Sequence, residues 1–348
     1  MTYISIPTSV STIGNGAFSG CSGLTTLTIP DLVVSVGSSA FCNCLGLTAL
    51  TIGNSVSEIG DSAFLNCSEL TSLTIPNSVT HIGDLAFSQC NELETVYFNA
   101  MNCSNAGGSV SKRAFYNCNN ISTINIGDSV TTIPSFLGYG CSGMSSVAIP
   151  NAVTSIGSSA FQGCIGLTSI NIPNSTNKIG VSAFQGCDHI TNITLGTGVD
   201  TIKDSAFRGC TQVVRMTSKS MTPPTVYVNT FNGLSDDVIL DVPCDAANAY
   251  ENAAYWFRFN IQEDLVYDFS ATSSNPARGT VTIVTEPTCD YREAQVQANA
   301  YHGYHFDHWS DGNTDNPRYI VVLQDTHLVA FFASDNGEDE DVEEVVEK

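Results

Sequence analysis

Thirteen cysteines and six histidines are the side chains of this chain best suited to metal, redox or nucleophilic chemistry. Their spacing argues against all three. Cys21, Cys44, Cys67, Cys90, Cys118, Cys141, Cys164, Cys187 and Cys210 follow one another at 23 residues, with one step of 28 after Cys90. A linear ladder of this kind cannot close a tetrahedral cage, and no CxxC pair occurs. Equivalent residues on stacked strands lie about 4.8 Å apart. That is within disulfide range for Cα atoms, but parallel side chains leave the Cβ atoms too far apart for a relaxed bridge. Nine is also odd, so the ladder is expected to hold buried small hydrophobes with free thiols. Cys42, Cys103, Cys244 and Cys289 lie outside the register, and their redox state stays open. His302, His305 and His308 are three apart, and alternate residues of a strand share a face, so these three are not expected to converge. Asp307-x-Trp309-x-Asp311-Gly312 imitates a calcium loop, but Trp309 stands where an oxygen ligand is needed and Arg318 replaces the closing Glu. His81 and His189 are isolated, no Ser-His-Asp or Cys-His arrangement recurs, and neither GxGxxG nor GxxxxGK[ST] is present. The expectation is no catalytic, cofactor-binding or metal-ligating residue and no enzyme activity.

The elements that position these cysteines are themselves periodic. Around each lies one sentence, as in Ile59-Gly60-Asp61-Ser62-Ala63-Phe64-Leu65-Asn66-Cys67 followed by Leu70-Thr71-Ser72-Leu73-Thr74-Ile75-Pro76. A fixed period of this length predicts a solenoid, because one unit is too small to bury its apolar side alone. Leu27/Ile29, Leu50/Ile52 and Leu73/Ile75 alternate with small polar residues, as a half-buried strand requires. A second short pair follows (Val56/Ile59, Val79/Ile82, Val153/Ile156), and an Ala-Phe dipeptide closes the coil. Two units depart. Residues 98–115 hold five extra positions, expected to bulge from the stack as a loop. In the unit ending at Cys141 the Phe slot is Gly138, and Phe136 is expected to fill the space.

The outward positions of the first strand run Thr26/Thr28, Ala49/Thr51, Ser72/Thr74, Thr95/Tyr97, Thr123/Asn125, Ser146/Ala148, Ser169/Asn171 and Asn192/Thr194. Hydroxyl ladders of this kind pair well across neighbouring strands. Binding hot spots favour aromatic residues, which singles out Tyr97. With the neighbouring insertion it makes Tyr97, Asn99, Met101, Asn102 and Asn105 the candidate protein-binding residues.

The net charge of −22 repels phosphate backbones and anionic membranes, which excludes nucleic acid as a partner. No apolar run is long enough to span a bilayer, so direct membrane insertion by this chain is not expected. Met1 to Pro7 matches the tail of a repeat strand and has neither a basic nor an apolar leader region. We therefore expect a trimmed form of a longer exported precursor whose signal peptide has been removed.

The unit Leu-Thr-Ser-Leu-Thr-Ile-Pro-Asn-Ser-Val-Thr-x-Ile-Gly-x-x-Ala-Phe at Leu70 to Phe87 resembles the BspA-like leucine-rich repeat. The resemblance implies a mainly β leucine-rich-repeat solenoid over 1–218, with a C-terminal cap over 219–264. Physically, Tyr250, Tyr255, Trp256 and Phe257 would cover the last open coil. Residues 265–333 read as short alternating strands, and Gly303-Tyr304-His305-Phe306-Asp307-His308-Trp309-Ser310-Asp311-Gly312 is similar to divergent internalin-type B repeats, which implies a small β-rich, β-grasp-like module. The stretch 334–348, with eight acids and one Lys, is expected to be a disordered tail. The family resemblance implies a cell-surface or secreted protein used in adhesion, with a host extracellular protein or glycan as partner and no cofactor. The alternative is a structural spacer that displays another domain.

Overall fold

The computed structural model describes residues 3–265, 268–289, 291–322 and 325–335. The acidic stretch beyond Asp335 lies outside them. The chain divides into two compact units, residues 1–262 and 263–348.

In the first unit the 23-residue period becomes translation along a solenoid. The first strands of successive coils, Ser72–Ile75, Thr95–Phe98 and Thr123–Ile126, pair in parallel with Leu73, Val96 and Ile124 in register. Ser169–Ile172, Asn192–Leu195, Arg215–Ser218 and Ile239–Pro243 continue the same way. A second ladder of two-residue strands includes Glu58–Ile59 and His81–Ile82, and later Ser155–Ile156 and Lys178–Ile179. The third side is a run of tight turns joined coil to coil by backbone bonds such as Phe41 N–H to Ala63 O (2.8 Å) and Phe64 N–H to Ala86 O (2.7 Å). Coils approach so closely that a Cβ on Gly83 would stand 2.5 Å from the backbone nitrogen of Asp61. Only glycine permits that contact.

The apolar positions of all three sides form one core. Within it the Ala-Phe residues stack ring on ring, Phe18, Phe41, Phe64, Phe87 and Phe115, with centroids 5.2 to 5.6 Å apart. A second run comprises Phe161, Phe184, Phe207 and Phe231. Gly138 interrupts them. Phe136 does not fill the gap: it sits half-exposed at a positive φ of 66°, in the turn position that serine takes in other coils, while Leu137 is fully buried in its place. Phe161 and Ile124 also close on Gly138, since a Cβ there would meet them at 2.9 and 3.2 Å.

The insertion is likewise not a simple bulge. Ala100, Cys103 and Ala106 are fully buried. Ala106 pairs with Ile82 and Asn105 with Ser135, so the segment supplies the missing rung of the second ladder. The surplus is taken up afterwards, in a hairpin closed by a Gly107–Arg113 bridge around the 3-10 turn Val110–Lys112. Buried apolar area decides the path, because leaving these side chains outside would open the stack.

The last coil is covered by Tyr250, Trp256 and Phe259, packed edge to face, with Trp256 4.9 Å from Phe231. Tyr255 and Phe257 are exposed and take no part, contrary to expectation. Tyr250 lies in the helix Ala247–Glu251, and Trp256 and Phe259 lie in the irregular turns after it, which impose no readable period. Their polar tips are satisfied: Tyr250 Oη pairs with Ser218 Oγ at 2.7 Å, and Trp256 Nε1 donates to Pro224 O at 2.8 Å.

The second unit contains two three-stranded sheets. One pairs Phe269–Ser273 in parallel, and Tyr304–Trp309 antiparallel, with Thr326–Ser334. The other is antiparallel, with Glu293–Ala300 between Gly279–Thr285 and Arg318–Val321. Val296, Ala298, Trp309, Leu328, Ala330 and Phe332 form their common core.

Candidate functional site

The ladder cysteines point inward, and several donate to a carbonyl in a preceding coil. Cys67 reaches Phe41 O at 3.5 Å, Cys187 reaches Phe161 O at 3.1 Å, and Cys164 reaches Gly138 O at 2.9 Å. Burial pushes the Cys44 thiol up to about 11 and the Cys141 thiol up to about 12, and raises Cys67 and Cys210 further. A thiol held neutral is neither nucleophile nor metal ligand. The free cysteines include all nine of the ladder together with Cys42 and Cys103, whereas Cys244 and Cys289 are disulfide-bonded.

The histidines of the second unit are arranged differently from the sequence expectation. A register shift between Phe306 and His308 sets His305 opposite Ala333 and His308 opposite Phe331. These partners alternate along one strand, so the bulge brings both histidines to one face. Each is then engaged separately: His305 Nδ1 lies 2.8 Å from Asp335, and His308 Nδ1 lies 2.9 Å from Asp307 while its ring stacks on Phe331. His327 bridges Ser270 Oγ at 2.8 Å and Thr272 Oγ1 at 3.3 Å, which commits both ring nitrogens to hydroxyls. Arg318, at the place of a calcium-binding Glu, grips Asp311 with two bonds of 2.7 Å and holds its carboxyl below the usual range. Among the described residues no group of three potential ligands converges on a metal position.

A recognition surface is better represented. Tyr97 stands 46% exposed between Thr74 and Asn125, its register neighbours. Beyond the end of this strand lies a shallow groove of about 400 Å³, lined by Asn54, Asn77, Asn99, Met101 and Asp128 among others. Asn99 and Met101 therefore belong to one groove, beside Tyr97. Asn102 is exposed near them, whereas Asn105 is carried to the second ladder and lines a smaller hollow with His81 and Asp84. Asn54 and Asn77 were missed at the sequence level, although their spacing of 23 could have placed them on one stripe. Arg113 was missed as well: its guanidinium lies between the rings of Tyr116 and Tyr139, 4.6 and 4.4 Å from their centroids, and ties the hairpin to the turn side.

The profile of the BspA type leucine rich repeat region matches residues 1–110 and 108–235, in six copies. The chain belongs to the BspA-type leucine-rich-repeat family. The match ends at residue 235, and the likeness of the second unit to B repeats gains no support from it. Among solved structures, this BspA-type chain is similar to a leucine-rich repeat protein from Bacteroides ovatus, at 25% identity over 75% of this chain and 73% of the other, with a TM-score of 0.45. It is also similar to a leucine rich cell surface protein from Faecalibacterium prausnitzii, at 24% identity over 73% and 83%, with a TM-score of 0.35. The pneumococcal vaccine antigen PcpA aligns at 16% identity over 74% and 85%, with a TM-score of 0.32. No curated protein matches the sequence. No helix among the described residues is long and apolar enough to cross a membrane.

Proposed function

We propose that this BspA-type protein is a non-catalytic interaction protein of a bacterial surface or its surroundings, adhering through its repeat array to a host extracellular protein or glycan. The family resemblance supports the surface location. The observation that carries the binding role is the exposed Tyr97 beside the Asn99–Met101 groove, on a sheet face of mostly small polar residues. A rigid aromatic next to a concave polar strip is the kind of anchor on which interface energy concentrates. The spacer reading is favoured by the rest of that face, whose Thr and Ser pairs stabilise the sheet by themselves.

The test is biolayer interferometry of the immobilised chain against matrix proteins, fibrinogen, mucins and a glycan panel. Saturable binding that persists at physiological salt and weakens on Tyr97→Ala or Met101→Ala supports adhesion at this groove. Binding indifferent to both substitutions moves the site elsewhere, and silence across the panel favours the spacer.

A further inference from the structure

We infer that the second unit carries a separate binding face for a neutral polysaccharide, on the outer side of the sheet built from Gly279–Thr285, Glu293–Ala300 and Arg318–Val321. In the central strand Ala294, Val296 and Ala298 are buried, so Gln295, Gln297 and Asn299 are turned to the other side. Register sets Thr280 opposite Asn299, Thr282 opposite Gln297, and Thr285 and Tyr319 on either side of Gln295. Three adjoining rows thus present amides, hydroxyls and one phenol without a formal charge, in a chain of net charge −22. Glu293 lies on the same face, at one end of the central strand opposite Val321.

The groups are also held in a usable posture. Gln295 Nε2 donates to Tyr319 Oη at 2.9 Å, and Asn299 Nδ2 donates to Thr282 Oγ1 at 3.1 Å. These bonds fix a 60% exposed tyrosine ring and one amide, while the Gln297 amide is exposed and makes no side-chain hydrogen bond among the described residues. A pyranose offers C–H bonds on its faces and hydroxyls around its rim. An aromatic plate beside planar amides meets both, since the ring takes the apolar face and each amide both donates and accepts. Strands about 4.8 Å apart repeat these groups at close to the length of one sugar residue. An anionic polymer would meet an acidic molecule, whereas a neutral one has no charge to be repelled.

Affinity electrophoresis of the whole chain in native gels containing dextran, mannan or laminarin tests this, with hyaluronan as the anionic comparison. The expected result is concentration-dependent retardation by at least one neutral polymer, weakened about tenfold by Tyr319→Ala and by Gln297→Ala. Both positions are exposed, and an unchanged melting curve confirms that the variants fold. Tyr97→Ala retains the retardation, which separates this face from the groove on the repeats. The inference is overturned by no retardation in any neutral polymer, by retardation that survives both substitutions, or by retardation in hyaluronan alone. Self-association that Tyr319→Ala abolishes also overturns it, because the face would then belong to a second copy.

Discussion

Replacing Phe64 by alanine is the sharpest test of how the array is held together. Its ring is fully buried between Phe41 and Phe87, with centroids at 5.3 and 5.2 Å, nearly parallel to both. Removing a buried phenylalanine costs about 3–5 kcal/mol, depending on how far the site collapses. Here collapse is opposed on both sides, because the flanking coils are bonded through Phe64 N–H to Ala86 O and Phe41 N–H to Ala63 O. The loss should therefore fall at the upper end of that range. Among the described residues Phe18 stacks on Phe41 alone, and it is itself only partly buried, so Phe18→Ala should cost roughly half as much. The assay is urea unfolding followed by far-UV circular dichroism, with hydrogen exchange read by mass spectrometry. Nearest-neighbour coupling predicts that exchange quickens most in the coils of Phe41 and Phe87 and little around Phe184 and Phe207. A loss below about 1 kcal/mol, or equal losses at Phe18 and Phe64, would refute the account of the stack as a coupled column.

Three further outcomes follow from the same structure. Neutral buried thiols such as Cys67, Cys141 and Cys210 ionise more readily when the chain is unfolded, where the ordinary value near 9 applies. Stability under reducing conditions should thus be level below that pH and fall above it, by roughly 1.4 kcal/mol per pH unit for each such thiol; a flat profile to pH 11 contradicts their burial. Denatured, non-reduced protein should release no signal from Cys244 or Cys289 in a thiol titration, and reduction should add both. Arg113→Ala removes a cation held between two tyrosine rings, and should cost about 1–2 kcal/mol and quicken exchange across 107–113, whereas unchanged exchange there would mean the hairpin is held by Asp84 instead.

Whatever repeats was legible without coordinates. The cysteine spacing, the alternation at Leu73 and Ile75 and the Ala-Phe dipeptide each state one coil, and repetition makes the weak signal of any one of them strong. Exposure of Tyr97 followed from the same alternation. The groove beside it was half legible: Asn99 and Met101 were reached through the insertion, but Asn105 was carried to another side of the coil once Ala106 took its place in the second ladder. An insertion has no period to align on, so its path depends on which apolar side chains the stack can bury. The cap was likewise half legible: Tyr250 and Trp256 cover the last coil as expected, but Phe259 and not Phe257 meets Phe231, because an irregular turn rotates side chains without a readable rule.

The sequence by itself determined the solenoid, the inward cysteines and the absence of a charge pattern suited to nucleic acid, because these rest on periodicity and composition. Only the tertiary structure decided what lies where the period breaks. Leu137 is inside and Phe136 outside at the Gly138 gap; His305 and His308 share a face through one bulge; Gln295, Gln297, Asn299, Thr282 and Tyr319 meet on a single sheet side. A strand fixes which of its own residues alternate, but not its partner or register. Those are settled by the burial of many distant side chains at once.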